Sequence, residues 1–117
     1  MSGELALKRV RLAAEWETSP LWIIYERRGE LDTHNCPLDQ VGDYMDLSPS
    51  LLRELDSWDA EFQATYRADD PQKSGFSSDQ DKARWVQQGR ALAPELAKQV
   101  AASVSVVYQT ITLKLVP

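Results

Sequence analysis

The 117-residue chain is poor in the side chains that most often do chemistry. It holds one cysteine, Cys36, and one histidine, His34. A lone cysteine excludes an intrachain disulfide and suits a reducing compartment. No GxxxxGK[ST] or GxGxxG stretch is present, so no phosphate-cradling loop is expected. No apolar run approaches the roughly 18 residues that suggest a membrane span. The start, Met1-Ser2-Gly3-Glu4-Leu5, lacks the basic and then apolar pattern of a secretory signal. These absences lead to the expectation of a cytoplasmic protein without a cofactor, a metal or a membrane partner. Bases are also short, thirteen against eighteen acids, for a net charge of −5. A general binder of nucleic acid is basic, so direct nucleic-acid binding is not expected.

What is present suffices for one core. The chain is 43% hydrophobic and 26% charged, which excludes a disordered or low-complexity polymer. Its length predicts a single domain over residues 1–117. Residues 5–16 alternate apolar and polar with one slip, the pattern of a strand with a bulge. Thr18-Ser19-Pro20 marks a turn. Residues 21–26, Leu-Trp-Ile-Ile-Tyr-Glu, are β-branched and aromatic on both phases, and Arg27-Arg28-Gly29 closes them. Two strands with a short link predict an antiparallel hairpin. Residues 29–47 read as irregular chain.

The clearest local signal follows. Ser48 is a good N-cap and Pro49 suits the first helical position. Leu51, Leu55, Trp58, Phe62 and Tyr66 then recur at helical spacing, predicting an amphipathic helix of roughly 18 residues that Asp69-Asp70-Pro71 ends. A second helix, capped by Ser77 or Ser78, carries an inner stripe of Val86, Gly89, Ala93, Leu96, Ala97 and Val100. Its Gly89 allows close approach to the first helix or the sheet. Pro94 predicts a kink or break near residues 90–94, since a mid-helix proline costs about 3 kcal/mol. Residues 103–115 form a last strand, whose end, Ile111–Val116, is a candidate edge for a homodimer. The expected fold is therefore α+β, a small two-layer domain in β-β-α-α-β order. A helix pair packs on one face of a three- to four-stranded sheet. Trp58 belongs to the core, Trp85 to its edge, and Trp16 and Trp22 to the open side of the sheet.

Charge is unevenly placed. Residues 29–72 hold eleven acids and two bases, while the segments on either side are mildly positive. Asp43 and Asp46 precede the first helix, Glu54, Asp56, Asp59 and Glu61 lie on it off the apolar stripe, and Asp69 and Asp70 follow it. Together they form the candidate partner-binding set. A patch of one sign speeds encounter with an oppositely charged partner and orients it. Catalysis has far less support. His34 and Cys36 form an i, i+2 pair with no orienting third group, and with Asp32 or Asp39 they match no standard zinc spacing.

The stretch Leu47 to Tyr108 resembles a group of short bacterial proteins. It shares with them a Leu47-Ser48-Pro49 helix start, Leu51, Leu55 and Trp58 along that helix, and an Asp70-Pro71 to Ser74-Gly75-Phe76 loop. The likeness continues through Gly89-Arg90-Ala91-Leu92-Ala93 to a Val104-Ser105-Val106-Val107-Tyr108 strand. It departs at Pro94, and it implies no activity and no catalytic residue. More loosely, in size and acidity the chain resembles the immunity proteins of bacterial toxin–immunity systems, including those of contact-dependent growth inhibition. That resemblance implies a non-enzymatic inhibitor of a basic protein partner, a nuclease toxin domain foremost. The alternative is a homo-oligomeric structural or regulatory module joined through its last strand.

Overall fold

A computed structural model describes residues 6–108. The element order is β1 (Ala6–Leu12), β2 (Leu21–Arg27), β3 (Glu30–Cys36), a 3-10 segment (Leu38–Asp43), α1 (Pro49–Gln63), a 3-10 turn (Pro71–Lys73), α2 (Asp79–Gln99) and β4 (Ser105–Tyr108). The four strands form one sheet in the order β3-β2-β1-β4. β1 pairs antiparallel with β2, as the hairpin signal predicts, and the register slips between Leu7 and Arg9. β4 lies parallel to β1.

Both helices cover one face of this sheet. Alternation turns Val10, Leu12, Leu21, Ile23 and Cys36 toward them, and α1 meets these residues with Leu51, Leu55, Trp58 and Phe62. α2 adds Trp85, Leu92 and Leu96. The α+β class and the two-layer arrangement are those expected.

Four local readings are corrected. Residues 30–36 form β3 instead of irregular chain. Their composition, Glu-Leu-Asp-Thr-His-Asn-Cys, carries little strand propensity, and what makes them a strand is seven-residue pairing with β2. α2 runs unbroken through Pro94. That residue is exposed, so the Arg90 carbonyl deprived of its N–H partner lies on the solvent side. The inner stripe of α2 is Trp85, Gly89, Leu92 and Leu96, and Trp85 is completely buried instead of peripheral. Trp16 belongs to the helical side, stacked 5.2 Å from Phe62, and only Trp22 faces the open side. The candidate dimer edge, Ile111–Val116, lies outside the described residues.

Gly89 does permit close approach. A Cβ there would lie 2.6 Å from Trp58 Cζ2 and 2.6 Å from the Tyr108 hydroxyl. Among the described residues, no helix is long and apolar enough to cross a membrane.

Candidate functional site

The acidic segment is held by a well-tied helix start. The Ser48 hydroxyl accepts from the Leu51 amide at 3.1 Å, and the Ser48 amide donates to Gln99 Oε1 at 2.7 Å. The second bond joins the start of α1 to the end of α2. Burial of Leu51, Leu55, Trp58 and Phe62 then fixes the rotation of α1 and forces its carboxylates outward.

They leave in two directions. Residues two apart on a helix are separated by roughly 200°. Glu54 and Glu61, seven residues apart, share the flank nearer α2. They border a groove of about 560 Å³ floored by Trp58 and Leu92, with Arg53 and Gln88 on its walls. Asp56 and Asp59 share the other flank, toward the β1–β2 connection. Asp46 stands before α1, whereas Asp69 and Asp70 follow it. A fifteen-residue helix separates those ends by about 20 Å.

Local partners divide the set further. Glu61 meets Arg84 at 3.5 Å, Asp69 meets Arg67 at 3.7 Å, and Asp70 meets Lys73 at 3.8 Å. Arg84 also reaches Asp81, at 3.5 Å. Asp43, Asp46, Glu54 and Asp56 are exposed and make no ion pair among the described residues. The Arg84–Glu61 bridge joins two helices far apart in sequence, so no local spacing announces it.

Asp59 is different again. It is partly buried, its Oδ1 accepts from Gln63 Nε2 at 3.2 Å, and its pKa is pushed up to about 6. Burial is the main cause. The Gln63 hydrogen bond opposes it and the neighbouring Asp56 charge adds to it. Gln63 in turn holds the β1–β2 connection. It donates to the Glu15 carbonyl at 2.8 Å and accepts from the Glu17 amide at 2.8 Å, where the backbone φ is +68°.

The His34–Cys36 pair lies on β3, where i, i+2 spacing turns both side chains toward the helices. Cys36 is fully buried. Burial, and then Asp43 and Asp39, push its thiol above the ordinary range. A nucleophilic cysteine needs the opposite shift. Among the described residues, no group of three histidine, cysteine or carboxylate side chains is placed to hold a metal ion.

Residues 8–110 match the family model described as Serratia CdiI immunity protein-like. No curated protein matches the chain.

Proposed function

Because the chain belongs to the Serratia CdiI immunity protein-like family, we propose that it binds and neutralises a basic protein toxin, most simply a nuclease domain, through its acidic surface. The observation that carries this reading is the confinement of eleven acids and two bases to residues 29–72, four of those acids lying on the two flanks of α1 and five in the segments just before and after it. A nuclease surface is positive because it must hold phosphates. A rigid helix bearing carboxylates can occupy such a surface and exclude the nucleic acid, with no chemistry of its own.

The contact set is Asp43, Asp46, Glu54, Asp56, Asp59, Glu61, Asp69 and Asp70, and its members are unequal. Asp43, Asp46, Glu54 and Asp56 are ready acceptors for lysine or arginine. Glu61, Asp69 and Asp70 must first exchange a local ion pair, so they contribute less. Only a few positions in an interface dominate its energy.

The test is a nucleic-acid cleavage assay with a candidate toxin domain from the same genome. Stoichiometric addition of the purified chain abolishes cleavage. Asp46→Lys combined with Glu54→Lys restores it at the same protein concentration. Inhibition unchanged in that variant contradicts the role of the acidic surface. A partner toxin without nuclease activity contradicts the choice of toxin class.

A further inference from the structure

Among the described residues, no helix covers the second face of the sheet, and its chemistry is the reverse of the acidic surface. Across β1 and β2, Arg11 sits opposite Trp22 and Arg9 opposite Ile24. Across β1 and β4, Arg11 sits opposite Val107. Leu31 and Val107 are 67% and 38% exposed, and they are the exposed large apolar side chains among the described residues. They stand on the two outer strands, three strand spacings apart across the sheet and four residues apart along it, about 20 Å in all. Between them the Arg11 guanidinium lies 5.4 Å from the centre of the Trp22 ring, and its buried Nε has no hydrogen-bond partner. Neither Arg9 nor Arg11 makes an ion pair among the described residues. The carboxylate that the described strands place on this face, Glu26, is held by Lys8 at 3.2 Å.

Among the described residues, this acidic chain therefore presents a partly apolar face with two guanidiniums that no carboxylate neutralises, Arg9 also donating to the Ser105 hydroxyl at 3.3 Å. We propose that this face is a second interface, independent of the acidic surface, and that its occupant is a protein surface with carboxylates around an apolar patch. A guanidinium already stacked on an indole is oriented for bidentate carboxylate binding, at little further loss of freedom. Two other occupants fit worse. Two-fold pairing with a second copy would set Arg9 and Arg11 against their own equivalents, and like charges in contact are costly. A nucleic acid would leave Leu31 and Val107 without a role and would be repelled by the net charge of −5.

The experiment is an NMR titration of the isotopically labelled full chain with a synthetic peptide of alternating glutamate and leucine. A lysine–leucine peptide of equal length and a single-stranded oligonucleotide serve as comparisons. The acidic peptide should shift the Trp22 indole signal and the Ile24 and Val107 amides saturably. Arg9→Gln with Arg11→Gln should weaken that binding at least fivefold, and Leu31→Ser, at an exposed position, should weaken it without disturbing the fold. The proposal is overturned if these signals do not move, if only helical signals move, or if the oligonucleotide or lysine–leucine peptide binds this face more tightly. Concentration-dependent dimerisation through the same residues also overturns it. Binding of the lysine–leucine peptide at α1 reports on the acidic surface alone, so the two readings fail separately.

Discussion

Trp58 of α1 and Trp85 of α2 exchange hydrogen bonds. Each indole N–H donates to the other residue's backbone carbonyl, at 3.0 and 2.8 Å. Their rings stack at 4.4 Å between centroids and 3° between planes. The pair clamps the two helices together beneath the α1–α2 groove. Phe62 and Phe76 pack against the Trp85 ring at 5.1 and 5.4 Å. Trp85→Phe removes one donor, leaves the Trp58 carbonyl buried without it, and opens space beside the stack. The expected loss is about 2–4 kcal/mol in urea denaturation. A loss below about 0.5 kcal/mol would show that the reciprocal bonds are incidental.

Gly89 tests how tight this junction is. In an open helix, glycine to alanine gains about 1 kcal/mol. Here a methyl would press on the Trp58 ring and on Tyr108, whose hydroxyl donates to the Val86 carbonyl at 3.0 Å. Overpacking of that kind costs about 1–3 kcal/mol, so Gly89→Ala should destabilise. Thermal denaturation gives the sign directly, and a raised Tm would contradict the close approach.

Pro94 makes the opposite prediction. It sits exposed inside an unbroken helix, where it withholds one backbone hydrogen bond. Pro94→Ala restores the donor to the Arg90 carbonyl. Part of the roughly 3 kcal/mol helix penalty is offset by the freedom that proline removes from the unfolded chain. A net gain of about 1–2 kcal/mol is expected in the same denaturation experiment. No gain would mean that α2 already bends to accommodate the ring.

Asp59 should give the stability a pH dependence. Its folded pKa of about 6 lies above the ordinary carboxylate value of 3.8. The neutral form is therefore favoured on folding. That advantage is full below about pH 4 and is lost as pH rises through about 6. The full shift would correspond to about 3 kcal/mol, which partial exposure reduces to about 1 kcal/mol. Asp59→Asn keeps an acceptor for Gln63 and removes the charge. It should stabilise the protein by about that amount at pH 7.5 and hardly at all at pH 4. Equal effects at both pH values would place the cause elsewhere.

The elements differ in how far the sequence alone foretells them. α1 is announced at every level, by Ser48, Pro49 and an apolar stripe whose members are all buried up to Phe62. β3 is nearly silent, because its partner supplies the pairing and its own side chains are mostly exposed. Trp85 reads as peripheral one position away from an apolar stripe, yet the stacking on Trp58 fixes the phase of α2 and buries it. The charge imbalance of residues 29–72 is visible in sequence, and the separation of Glu54 and Glu61 from Asp56 and Asp59 follows from helical spacing once α1 is predicted. The Arg84–Glu61 bridge needs the tertiary fold.

The most direct test of the proposed acidic docking surface is the association rate with the proposed toxin partner, measured by stopped flow as a function of salt. Electrostatic steering gives a rate that falls steeply with ionic strength, and a slower, flatter dependence for the Asp46→Lys, Glu54→Lys variant. An association rate and salt slope unchanged by those reversals would contradict it.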